Sequence, residues 1–395
     1  FNSINILKNF LILICFCLFT FILINQPRSI TKNDALIHCN ITNIMSFNEL
    51  NPYFEENIKQ VYPENFPVQI EKIGTNYLPL VINSLKILCH PLINWVENYI
   101  YFLIIIPIVF FATQYRNGFV GVLIILTGFN GFYQSLRSGN FSIIAQIILV
   151  LFFITLFKRK LIISSLLFSI LAYIKITILP IYLILLLSIK NKLVKKFFNL
   201  SFIFFTGLIL ITYFVEKELL RTWLEYYTLF SNSENINSFN VLNDTFGNYY
   251  DTPSIPNLLF YLFNFNLILF FVSFLIIVFT LISIFKSLRS NNLQIEEVLM
   301  NSFIIYFLFN PYIRTYHLIE FAIFLSFYLI YKNQTFGISI IFYCIIPQLT
   351  ILEIGPEILS NVYVLLVSLY PPIVFLIFTA KEKLGIKKYN FSIRK

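Results

Sequence analysis

Charge is the first scarcity in this sequence. Asp, Glu, Lys and Arg make up 12% of it, about half of what soluble domains carry, which excludes a charge-covered surface over the whole chain. Glycine is scarce too, with 11 in 395 residues, and none of them forms a phosphate-cradling loop. The three histidines and five cysteines show no metal-ligand spacing. There is no nucleophile elbow. No Asp-x-Asp pair follows the first apolar block, which argues against a metal-bridged nucleotide-sugar site. No internal repeat is evident, direct or inverted.

What is abundant is apolar. Hydrophobic residues make up 58% of the chain and mean hydropathy is +0.79. They fall into blocks near 9–25, 96–113, 118–134, 141–157, 161–173, 176–189, 197–215, 257–285, 299–310, 317–331, 336–350 and 359–380. About 20 apolar residues cross a ~30 Å hydrocarbon core, so the blocks predict an all-α, polytopic membrane helix bundle with about 10–12 spanning segments, one domain over 1–395. Blocks 161–173 and 299–310 are too short to span alone and read as broken or re-entrant helices. The first block is followed by NQPRS rather than a small-residue cleavage site, and reads as a retained anchor.

Basic residues in short loops set the orientation. With the N-terminus inside, Arg116, Lys158-Arg159-Lys160, Lys190, Lys192, Lys195, Lys196, Lys286, Arg289 and Lys332 are inner. Nearly all acids fall outside; Glu296, Glu297 and Glu382 are the inner exceptions. The large outer loops are 26–95 and 216–256. The formal net charge of +9 is therefore a topology signal that predicts a lipid bilayer as partner and no nucleic acid. Cys15, Cys17 and Cys344 read as packing residues. Cys39 and Cys89 share the first outer loop, where a disulfide is one option.

A charge in a bilayer costs roughly 2.5–3.5 kcal/mol on insertion scales and demands a reason. Lys175, in SILAYIKITILPIYL, is either a lysine snorkelling to water from a hairpin tip or a cation held at the outer mouth for an anionic group. In NPYIRTYHLIEF, Arg314, His317 and Glu320 recur three residues apart. They make either a self-satisfied Arg314–Glu320 pair or part of a site. Arg137 precedes Gly139-Asn140 ahead of the fourth block. Cations converging at one level suit a phosphate whose lipid tail stays in the bilayer. Asp34, just past the first block, is the candidate general base, with His38 at i+4; its alternative is a helix cap.

The order of these features resembles the GT-C integral-membrane glycosyltransferases, and within them glycosyltransferase family 87, which includes polyprenol-phosphate-mannose-dependent mannosyltransferases. The resemblance runs over about residues 30–330. It rests on Asp34, Pro52-Tyr53, Tyr77-Leu78-Pro79-Leu80, Gly139-Asn140-Phe141-Ser142, the basic run leading to Lys175, and Asn310-Pro311 with His317. Asn243-Asp244-Thr245-Phe246-Gly247 is a further match. His38 stands where that family has Tyr, and Asn140 where it has Gln.

The resemblance implies a GT-C fold whose first outer loop, 26–95, contributes to the active site. It implies a polyprenyl-phosphate sugar donor, a lipid or glycan acceptor, and inversion with Asp34 as base. No cofactor or metal is expected. Arg137, Lys175, Arg314 and His317 would face the donor phosphate; His38, Tyr53, Asn140 and Asn243 would contact substrate. The expected location is a bacterial inner membrane, with the site on the periplasmic side. Two alternatives share the topology: an O-antigen-type lipid-linked oligosaccharide polymerase and a transporter or flippase. An acid directly after the first block favours the transferase over the first. Charges at the mouth rather than mid-membrane disfavour the second.

Overall fold

The structure is a computed structural model that describes residues 78–85, 101–115, 117–127, 142–186, 190–232, 294–309 and 318–332, with scattered positions elsewhere, among them Cys39, Asn51 and Cys89. Among the described residues it is all-helical. The helices are α1 (Pro79–Leu85), α2 (Phe102–Ala112), α3 (Phe119–Thr127), α4 (Ile143–Phe157), α5 (Leu161–Ile174), α6 (Pro180–Leu186), α7 (Lys192–Val215), α8 (Lys217–Asn232), α9 (Ile295–Phe309) and α10 (Leu318–Tyr331).

The helix from Lys192 to Val215 is long and apolar enough to cross a membrane alone. It starts on a side-chain cap: Asn191 Oδ1 accepts from the N–H of Leu193 (3.0 Å) and of Val194 (3.4 Å), satisfying two orphan donors of the first turn. α5 and α6 pass the same test together, but they are bent by 119° at their junction. This is the broken segment expected at 161–173. Its cause is local. Ile176-Thr177-Ile178 is a β-branched run, and Pro180 has no N–H to continue the ladder and clashes with the carbonyl four residues back. The chain turns through a single 3-10 turn, Ile176–Ile178, and restarts with Pro180 at the first position of α6.

The core is aromatic. Phe152 and Phe153 of α4 meet Phe168 of α5, Phe197 of α7, Phe303 of α9 and Phe324 and Phe327 of α10, at centroid separations of 5.2–6.4 Å. Such pairs add about 0.5–1.5 kcal/mol beyond area burial. Close packing and polar side-chain contacts tie these apolar helices to one another. Ser169 Oγ of α5 donates 2.7 Å to the carbonyl of Ser201 on α7. Ser326 Oγ of α10 donates 2.8 Å to the carbonyl of Gly121 on α3. A Cβ at Gly121 would lie 2.7 Å from Ile330 and 2.8 Å from the Ser326 carbonyl oxygen, so only glycine permits this approach.

The two ends differ chemically. α4 closes onto α5 through Lys158-Arg159-Lys160, with Arg159 N–H on the Leu156 carbonyl (2.8 Å) and Lys160 N–H on that of Thr155 (2.9 Å). This is a Schellman closure, with Arg159 in the left-handed position (φ 54°) that glycine ordinarily fills. Arg159 Nε lies 3.5 Å from Glu296, and Lys332 Nζ 3.5 Å from Glu297. The basic and acidic residues assigned to the inner side thus share one end. Lys175 lies at the other end of α5, about 21 Å along a 14-residue helix.

Two helices fall inside the expected loops. α1 lies within 26–95 and opens on Pro79, whose fixed φ suits a first helical position. α8 lies within 216–256 and is amphipathic, with Leu220 and Trp223 buried and Arg221 and Leu224 exposed. α9 begins at Ile295, four residues before the apolar block at 299–310, because Glu296 and Glu297 complement its N-terminal dipole.

Candidate functional site

Lys175 is the one site residue named from sequence that lies among the described residues. Asp34, His38, Tyr53, Arg137, Asn140, Asn243, Arg314 and His317 lie outside them. Lys175 caps α5 at the helix break; its N–H donates 2.8 Å to the Leu171 carbonyl, and its own carbonyl accepts from Ile178 (2.9 Å).

The side chain does not snorkel. It is 13% exposed, and its Nζ lies 2.6 Å from both carboxylate oxygens of Glu320, itself 4% exposed. Glu320 belongs to the first turn of α10, which begins one residue after His317. Sequence spacing offers Arg314 as a partner of Glu320; Arg314 lies outside the described residues, and within them the carboxylate engages a lysine 145 residues away. On the far side of the break, Thr177 Oγ1 lies 3.3 Å from the Tyr306 hydroxyl of α9. Three helices are therefore tied together within three residues of sequence.

Beside the break lies a second apolar cluster of Leu78, Val81, Ile82, Tyr173, Leu220 and Trp223, with Ile176, Cys39 and Cys89 packed against it. Parts of both large loops thus abut the turn that carries Lys175. Cys39 and Cys89 form a disulfide, so the open question of their pairing is answered. Cys39 follows His38 directly. Asn51, two residues before Tyr53, donates 3.0 Å to Thr222 Oγ1 of α8, and Asn83 of α1 donates 3.1 Å to Glu216. The hydroxyl of Tyr173, a member of the cluster, is hydrogen-bonded to Thr212 Oγ1, joining α5 to α7.

Near Asn140, the described polar groups are Ser142 and Gln146. Gln146 is fully buried on α4; its Nε2 donates 2.9 Å to Ser142 Oγ, and its Oε1 has no partner among the described residues. Sequence reading passes over Gln146 as a site group and weighs Glu320 only alongside Arg314 and His317. The first stands one turn beyond a flagged motif. The second is visible as a charge in an apolar helix, but its lysine partner is not. No group of three or more His, Cys, Asp or Glu side chains that could hold a metal occurs among the described residues.

At the opposite end, burial raises the Tyr115 phenol from 10.0 to about 12, and the Glu296 charge adds to the shift.

An apolar chain, all-helical among the described residues, with a lysine ammonium paired at a helix break near the Cys39–Cys89 disulfide, fits a membrane protein. Its sequence matches the family profile of glycosyltransferase family 87 over residues 98–311, just over half of the chain. The chain belongs to that family: it is a glycosyltransferase, and like other members a membrane protein. Neither a curated protein nor a solved structure matches it. The matched stretch holds Arg137, Asn140, Lys175 and Asn243; Asp34, His38 and Tyr53 precede it, and Arg314, His317 and Glu320 follow it.

Proposed function

We propose that this glycosyltransferase moves a hexose such as mannose from a polyprenyl-phosphate donor to a lipid-linked or glycan acceptor. Asp34 takes the proton of the acceptor hydroxyl as its oxygen attacks the anomeric carbon. The bond from that carbon to the phosphate oxygen breaks with inversion, and polyprenyl phosphate leaves with the electron pair. Lys175, Arg137, Arg314 and His317 offset the phosphate charge, while His38, Tyr53, Asn140 and Asn243 contact the sugars. The reaction takes place at the end of a multi-pass bundle that faces the periplasmic side of a bacterial inner membrane.

The observation that carries this reading is the Lys175 ammonium, held at a helix break in an apolar bundle beside the first loop. A lipid phosphate with its tail in the bilayer meets the protein at such a level. Family membership supports transfer over polymerisation or transport. The Cys39–Cys89 disulfide supports an oxidising compartment for that end, and the basic residues at the other end agree with it. Incubating membranes that carry the protein with a panel of radiolabelled polyprenyl-phosphate sugars tests the proposal. Label in a new glycolipid, from one sugar of the panel, is expected; label only from a nucleotide sugar would contradict it.

A further inference from the structure

We infer that Glu320 is the positioning residue of the donor-phosphate cation, fixing the Lys175 ammonium so that one N–H remains for an oxygen of the lipid phosphate. The inference rests on the reading of Lys175 just given. An ammonium has three donors. Both Glu320 oxygens lie 2.6 Å from Nζ, and Lys175 has no other side-chain partner among the described residues. A free lysine stem samples many rotamers; this one is pinned between the end of α5 and the first turn of α10. Glu320 is at the N-terminal end of its helix, where the dipole favours the charged carboxylate. The pair therefore presents a directed donor.

Charge on the phosphate changes during transfer. The donor phosphodiester carries one negative charge. When the bond between anomeric carbon and phosphate oxygen breaks, the leaving monoester gains a second, and the acceptor proton passes to Asp34. A donor already aimed at that oxygen acts most strongly where the charge develops. Loss of Glu320 leaves the ammonium charged but unplaced, so the defect falls mainly on kcat.

The test uses the full chain in liposomes, normalised to monodisperse folded protein, with polyprenyl-phosphate mannose as probe. Lys175→Gln is expected to lower kcat/KM about 10- to 100-fold, the range for a lost charge-assisted contact. Glu320→Gln is expected to lower kcat by about 10-fold with a smaller change in KM, and Glu320→Asp to retain more activity than Glu320→Gln. The double variant is expected to be no worse than Lys175→Gln alone, since the two act as a unit. Wild-type kcat in folded Glu320→Gln, or additive losses in the double variant, overturns the positioning role and leaves the Lys175 reading intact. Wild-type kcat/KM in Lys175→Gln overturns the Lys175 reading itself. If Glu320→Gln is not recovered folded, Glu320→Asp carries the test: reduced kcat supports the role, and unchanged kcat overturns it.

Discussion

Lys175→Met, made alone, is expected to damage folding as well as chemistry. The reason is Glu320, which is 4% exposed and has both carboxylate oxygens on the Lys175 ammonium. Removing one member of a buried pair leaves an uncompensated charge and costs about 3–5 kcal/mol. Replacing both members with apolar side chains of similar volume is neutral or stabilising in comparable cases, and Met matches the shape of either stem. For a chain of this size a kcal/mol moves Tm by about 1–2 °C, so each single Met variant is expected to melt about 3–10 °C low. Lys175→Met/Glu320→Met is expected to recover most of that loss. The assay is thermal unfolding of the four purified proteins in one detergent, read as a double-mutant cycle. Lys175→Met within a degree of wild type, or a double variant no better than the worse single, would refute the reasoning. The recovered double variant also separates the two roles, because it is expected to be stable and defective in donor use.

Three further outcomes follow from other contacts. Gly121→Ala places a Cβ 2.8 Å from the Ser326 carbonyl oxygen and is expected to destabilise by about 1–3 kcal/mol; an unchanged Tm would contradict the close approach of α3 and α10. The Tyr115 phenol is raised by burial and by Glu296 to about 12. Its folded value exceeds its unfolded one, so its contribution to stability is complete below pH 10.0 and is lost as pH rises to about 12. Tyr115→Phe is expected to flatten that part of an alkaline melting series, and an identical series would count against the burial. Maleimide labelling in denaturant is expected to leave Cys39 and Cys89 unmodified until reduction, whereas Cys17, a free and exposed thiol, reacts at once. Reduction of a link spanning 50 residues is expected to cost about 2–4 kcal/mol, measured as a fall in Tm with dithiothreitol.

Features that depend on local pattern were legible in the sequence. Apolar blocks gave the helices from α2 to α7, and the shortness of 161–173 gave the break that carries Lys175. The sorting of Arg159, Lys332, Glu296 and Glu297 to one side reappears as two ion pairs at one end. Features that depend on long-range pairing were not. Helical spacing ties Glu320 to Arg314, but nothing local ties it to a lysine 145 residues away. α8 was hidden because its apolar face is narrow, with Leu220 and Trp223 as its buried contacts; block hydropathy averages such a face away, and only a 3.6-residue periodicity reveals it. α1 is too short for either signal.

The most direct test of the account is Asp34→Asn in purified, folded protein supplied with a radiolabelled polyprenyl-phosphate sugar and acceptor lipid. Asn caps a helix about as well as Asp but cannot accept the acceptor proton. The account predicts that the wild type forms product of inverted anomeric configuration, and that Asp34→Asn binds the donor without turnover. Near-normal turnover by Asp34→Asn, or product of retained configuration from the wild type, would contradict it.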